Sequence, residues 1–273
     1  MNAVHVPPVD RDPKHLWTFN AITLFKRLRD YLNGYADYRQ YPSIKFVETW
    51  PQHSHKHQLL TTYVATNLYW FGRHLQRVET TLIDVLELFN AVIDTDKEAG
   101  VRYFEHLDIE LEYKSAQDFL QKAVFGDHPA NLATIMSNAR ENAIICRPYL
   151  DAEAFGETIR LYNLLDTYAK TDTKVDYRFI GDALSLINEV WGIMARGLLR
   201  RKSDQFIRLG KLTEKVDLHL RHGKNGNESV VYLHNILITA QRIAPEAEMP
   251  IDEKDDEANL DAINDLFENL VVV

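Results

Sequence analysis

From Leu68 to Val92 the apolar residues keep a seven-residue rhythm: Leu68, Phe71, Leu75, Val78, Leu82, Val85, Phe89 and Val92. That spacing predicts one long helix, from near Gln58 to Ile93, with a narrow buried seam. At 1.5 Å per residue it is a rod of about 50 Å. Phe206, Leu209, Val216 and Leu220 resume the rhythm in a second stretch, Gln205 to His222. With Asn67 aligned on Gln205, Gly72 falls on Gly210, Arg73 on Lys211, Arg77 on Lys215, Val78 on Val216 and Glu79 on Asp217. The chain therefore reads as carrying an internal repeat, two related spine helices.

A glycine inside a helix costs about 1 kcal/mol relative to alanine, so Gly72 and Gly210 need a reason. With Leu68 and Phe206 at heptad position a, both glycines lie at e, on the edge of the seam, where a small residue lets a second helix come close. Glu79 and Asp217 share that edge one heptad later. Arg73 and Lys211 at f, and Arg77 and Lys215 at c, lie on the side facing away from the seam, with Tyr69 and Trp70 in the first copy. Cations at i and i+4 repel by a few tenths of a kcal/mol. Their side is expected to meet either a second helix carrying carboxylates or an anionic ligand.

The remaining pattern is also helical. His15 to Leu32 keeps helical spacing after a proline-rich arm, and Tyr35 to Pro51 reads as an ordered loop. Asp118 to Val124 predicts one or two short helices. Asn131 is a suitable N-cap for a helix carrying Leu132, Ile135, Ala139, Ala143 and Cys146, which Pro148 bends or ends. Helices are predicted through Phe155 to Tyr168 and Phe179 to Trp191, with Gly192 and Gly197 hinting at close packing. After a turn at Gly223 to Asn227 comes a last core helix through Val230 to Ile243. The acidic run Asp252 to Glu257 then leads to an amphipathic segment, Leu260 to Leu270, suited to docking on the body or to lying in a partner's groove. The expected organisation is an arm, helix and aromatic loop over 1–58, an all-α helical bundle with short connections over 59–245, and an acidic linker with a C-terminal helix over 246–273.

Eleven glycines and nine prolines in 273 residues favour long helices. A formal charge of −9 argues against nonspecific nucleic-acid binding, whose affinity comes from cations neutralising phosphates. Cys146 is alone and reads as a small buried hydrophobe. No apolar run has the length of a membrane span and no secretory core opens the chain, so the cytoplasm is expected. His53, His55 and His57 alternate, but no cysteine or carboxylate at ligand spacing completes a metal site.

Three ordered motifs carry a resemblance. They are Asn67-Leu68-Tyr69-Trp70-Phe71-Gly72-Arg73 continuing to Glu79; Ala139-Arg140-Glu141-Asn142-Ala143 with Arg147 and Asn163 beyond; and Phe206-Ile207-Arg208-Leu209-Gly210-Lys211 with Glu214, Lys215, Val216 and Asp217. In this order, spanning about Leu60 to Ile243, they resemble the bacterial alpha-E domain family. That family usually has Glu-Arg where this chain has Gln76-Arg77, and the second copy has Lys215 in place of arginine. It usually has arginine and glutamate where Tyr63 and Thr66 stand, and often arginine where Ile144 stands. The resemblance implies an all-helical protein associated with a circularly permuted ATP-grasp ligase, alongside transglutaminase-like and proteasome-like peptidase proteins. ATP and Mg²⁺ are then expected on the ligase, with no cofactor in this chain.

Three functions follow as expectations. The first is an accessory subunit of an ATP-grasp-type amide ligase system, binding the ligase or its anionic peptide through Tyr69, Trp70, Arg73, Arg77, Arg140, Arg147, Lys211, Glu214 and Lys215. Guanidinium groups recognise carboxylate and phosphate in two-point fashion. Gly72, Gly210 and Asn142 are read as structural. The second is an enzyme forming or cleaving amide bonds, with Glu79, Glu141 or Asp217 as acid or base. The same three carboxylates also have a plain reading, pairing with Arg73, Arg140 or Lys211 across the bundle. The third function is a generic helical scaffold.

Overall fold

Local signals start the helices, at Asn131 as expected and, for the long first helix, at Thr62 rather than near Gln58. The Thr61, Ser115 and Asn131 side chains accept from the backbone N–H groups of Val64, Asp118 and Thr134, and Asp176 accepts from Phe179. A computed structural model of the chain describes residues 60–171, 173–196, 201–221, 227–252 and 256–272. Among these the helices are α1 (Thr62–Asp94), α2 (Ala99–Glu105), α3 (Ala116–Phe125), α4 (Leu132–Ile145), α5 (Ala152–Thr171), α6 (Tyr177–Arg196), α7 (Lys202–Arg221), α8 (Asn227–Ile243) and α9 (Asp256–Val272). A 3₁₀ turn at Arg147–Tyr149 holds Pro148, beyond the end of α4. No strand occurs among the described residues, and the fold is all-α. The expectations for His15 to Leu32, Tyr35 to Pro51, the three histidines at 53, 55 and 57, Gly197 and most of the turn from Gly223 lie outside the described residues, as do Glu253, Lys254 and Asp255 of the acidic run.

Helix α1 is the axis of the bundle, packing against α7, α4, α6, α3, α2 and α9. Neighbours on so many sides replace the narrow seam by burial nearly all round. Leu68, Tyr69, Phe71, Gly72, His74, Leu75, Gln76 and Val78 are all buried. The side expected to face away from the seam is therefore an interior face. Tyr69 is only 3% exposed, and Trp70 packs against the core. The physical reason is that from Leu68 to Val78 the helix is surrounded by partners, whereas Ile83 and Ile93 further along it are exposed.

The C-terminal helix docks on the body. Ile263, Leu266 and Leu270 of α9 are buried, and Phe267 stacks on Tyr69 with ring centroids 4.0 Å apart. Asn259 ties the entry to α9 by accepting from Asp252 N and donating to Asp252 O. Gly192 departs from expectation. It is exposed, and a Cβ there would meet no atom within 4 Å among the described residues. No close packing requires it.

Candidate functional site

The site is built where α1 and α7 cross. A Cβ placed on Gly72 would stand 2.0 Å from the Ile207 carbonyl oxygen, and one on Gly210 would stand 1.9 Å from that of Tyr69. Real Cβ atoms do not come so close to backbone, so the two helices touch main chain to main chain at both glycines. In the alignment of Asn67 on Gln205, Tyr69 corresponds to Ile207. The two contacts are thus reciprocal.

This close approach brings the basic residues of α1 onto the acids of α7. Arg73 Nε lies 2.7 Å from Glu214 Oε2, and its Nη2 lies 2.5 Å from Asp217 Oδ2. Arg77 forks onto Glu214, with Nε to Oε1 at 2.5 Å and Nη2 to Oε2 at 3.0 Å. Arg221, one turn along α7, reaches Asp217 Oδ1 at 2.9 Å. The Glu214 side chain is fully buried and that of Arg73 is 11% exposed. Trp70 completes the wall, its ring centroid 4.9 Å from the Arg73 guanidinium.

The electrostatics follow from these contacts. Burial alone would raise the Glu214 carboxyl, but Arg77 and Arg73 hold it below the usual carboxylate range. Burial likewise opposes ionisation of Asp217, and Arg73, Arg221 and Arg77 outweigh it. Arg73 is held protonated against its own burial, chiefly by Glu214. Burial raises the Tyr69 hydroxyl, with Arg73 pulling the other way. Two carboxylates shared among three guanidiniums form a closed ionic cluster.

The second half of the crossing is weaker. Lys211 aligns with Arg73 and Glu79 with Asp217, and Lys211 Nζ stands 3.9 Å from Glu79 Oε2. The residue aligned with Glu214 is Gln76, a neutral group. Its Nε2 donates to Thr80 Oγ1 at 3.0 Å, and its buried Oε1 meets no donor among the described residues. Lacking a second carboxylate, Lys211 is lowered by burial to about 8, against the pull of Glu79. Its ammonium lies 3.6 Å from the Trp191 ring centroid, and that of Lys215 lies 5.4 Å from Tyr232.

Asn142 links α4 to α1. It donates to Asn67 Oδ1 at 2.8 Å, and its own Oδ1 lies 2.8 Å from His74 Nδ1. Because the Asn142 amide nitrogen faces Asn67, its oxygen is left to accept, which assigns the proton to His74 Nδ1. Burial, then the charge of Arg77, lowers His74 to about 3, so it is a neutral core histidine. Sequence reasoning gave His74 and Arg221 no role and used Asn67 only as the start of a motif. Only a contact map pairs His74 with a residue 68 positions away.

The other candidates lie apart from the cluster. Arg140 pairs with its neighbour Glu141 at 2.5 Å and covers the Tyr162 ring of α5, while Arg147 covers Phe155. Thus Tyr69, Trp70, Arg73, Arg77, Glu214 and Asp217 come together, Glu79, Lys211 and Lys215 follow along the same crossing, Arg140 and Arg147 lie over rings of α5, and Glu141 is exposed beside Arg140. Each of the three candidate acids has a cation: Lys211 for Glu79, Arg140 for Glu141, Arg73 and Arg221 for Asp217. Among the described residues no group of three or more His, Cys, Asp or Glu side chains could hold a metal ion.

Residues 60–227, more than half of the chain, match the family model described as a predicted alpha-helical domain with a conserved ER motif. The chain belongs to the alpha-E family. No curated protein and no solved structure matches it. In this alpha-E chain the dipeptide at 76–77 is Gln-Arg, and the aligned dipeptide at 214–215 is Glu-Lys. Each stretch keeps one half of a Glu-Arg pair. The two kept halves, Arg77 and Glu214, are the ones that meet across the crossing.

Proposed function

We propose that this alpha-E chain is a non-catalytic helical partner of an ATP-grasp-type amide ligase, with ATP and Mg²⁺ held by the ligase. The observation that carries this reading is the closed state of its charges. A general acid or base works best with a pKa near the operating pH and a free path to substrate. Glu214 and Asp217 are instead held low by arginines, Glu79 faces Lys211, and Glu141 is exposed on the surface beside Arg140, away from the cluster. Such a cluster locks two helices together and leaves the outer surface for recognition. Recognition of an anionic peptide by Arg73 and Arg77 has no support in this geometry, since both guanidiniums are already occupied. Transglutaminase-like and proteasome-like peptidase proteins are the further partners under this reading.

The test is affinity capture of the tagged full chain from its native cells, with mass spectrometry, followed by an assay of the captured ligase with and without the chain. Recovery of an ATP-grasp protein whose product formation rises on adding the chain, equally for wild type and Glu141→Gln, is the expected result. Capture of the chain alone contradicts the proposal. So does product formation by the purified chain that Glu141→Gln abolishes.

A further inference from the structure

Helices α6 and α7 flank a half-open cavity of about 270 Å³ on the Lys211 side of the crossing. Its apolar walls are Trp191 and Met194 of α6 and Ile207 and Leu212 of α7. Three charged side chains line it: Asp204, Arg208 and Lys211. Asp204 is already neutralised, since Arg201 grips it with Nη2 to Oδ1 at 3.0 Å and Nε to Oδ2 at 3.2 Å. Arg208 makes no salt bridge among the described residues. Burial and then the charge of Arg242 lower it, which is the mark of a cation short of an anion. Among the described residues Lys211 has one carboxylate, Glu79 at 3.9 Å, and its ammonium lies over the Trp191 ring. Trp191 Nε1 is a buried donor that meets no acceptor among the described residues. An apolar chamber with two under-compensated cations on one wall is complementary to an anion with an apolar body.

We propose that this cavity binds an apolar monocarboxylate of about ten non-hydrogen atoms, scaled from the benzene-sized fit of smaller protein cavities. Its carboxylate is received by Arg208 and Lys211, and its body lies against Trp191, Met194, Ile207 and Leu212. Carboxylate is the anion that matches a guanidinium fork beside an ammonium, and a single charge matches the small polar part of the wall. The proposal stands apart from the ligase reading, because the ligand site would exist whatever protein the surface meets. Burial lowers Lys211 to about 8, and a bound carboxylate supplies the counter-charge that Gln76 does not.

The experiment is isothermal titration of the full chain at pH 7 with octanoate, and with octanamide as its neutral isostere. Octanoate is expected to bind saturably at one site, with octanamide at least about tenfold weaker, as loss of charge-assisted hydrogen bonds requires. Arg208→Gln, whose helix content and melting are compared with wild type, is expected to weaken octanoate by a similar factor. Ala195→Phe, which fills the chamber, is expected to abolish binding of both. No saturable heat with octanoate in the millimolar range overturns the proposal. So does equal affinity for the amide, or undiminished octanoate binding by Arg208→Gln.

Discussion

Gly210 of α7 rests on the Tyr69 carbonyl of α1, so close that a Cβ would stand 1.9 Å from the oxygen. Gly72 rests in the same way on Ile207. The two glycines set the helix separation, and that separation places Arg73 and Arg77 within reach of Glu214 and Asp217.

Alanine at either position therefore forces the backbones apart. Gly72→Ala and Gly210→Ala each gain about 1 kcal/mol of helix propensity but are expected to lose about 1–3 kcal/mol net through overpacking. Gly192→Ala, where a Cβ meets nothing, is expected to gain up to about 1 kcal/mol. Urea unfolding of the three variants checks the contrast; equal effects at all three sites would refute the packing account.

His74 gives a pH dependence of known sign. Its folded value, about 3, lies below the unfolded value of about 6.5. As pH falls below 6.5 the unfolded chain takes up a proton that the folded chain refuses, and stability is lost down to pH 3. Between pH 6.5 and 5 the loss from this residue is roughly 2 kcal/mol. Glu214 and Asp217, held low, stabilise fully above the ordinary carboxylate range, and their contribution is lost only as pH falls below about 4. His74→Gln should flatten the slope between pH 6.5 and 5 in denaturant melts. An unchanged slope would show that His74 titrates normally.

Gln76→Glu adds the missing carboxylate to the weaker half of the crossing. Lys211 is then expected to rise from about 8 towards the ordinary lysine value of about 10.4. Nitrogen chemical shifts of the Lys211 side chain against pH report it directly. A midpoint still near 8 would mean that residue 76 does not face Lys211.

Docking of the tail is energetic as well as geometric. Phe267→Ala removes the stack on Tyr69 and is expected to destabilise by about 2 kcal/mol, less than a fully buried phenylalanine. Thermal melts compare it with Glu268→Ala on the neighbouring position, expected to stay within about 0.5 kcal/mol. Similar melts for the two would mean that α9 contributes nothing through this face.

The long helices were legible because apolar spacing over many turns admits one period, and Gly72 and Gly210 announced a close contact by standing where a helix disfavours them. The second helix carrying carboxylates was also among the sequence readings, though not which helix it was. What the pattern hid was burial outside the seam between Leu68 and Val78 of α1: a heptad reads one seam, whereas Tyr69 and Gln76 are buried by neighbours that the helix's own residues do not encode. The partnership of His74 with Asn142 was hidden for the same reason, since a polar ladder between α1 and α4 has no local period, although Asn142 itself was read as structural. Gly192 shows the converse, a glycine that no contact demands.

The central claim is that Arg77 and Glu214 form a structural clamp joining α1 to α7. A double-mutant cycle of Arg77→Met and Glu214→Met by urea unfolding tests it most directly. Glu214→Met should cost about 3 kcal/mol, because it removes the carboxylate that Arg77 forks onto and leaves Arg73 with Asp217 alone. The double variant should lose less than the sum of the singles by at least about 1 kcal/mol. Additive losses would contradict the clamp.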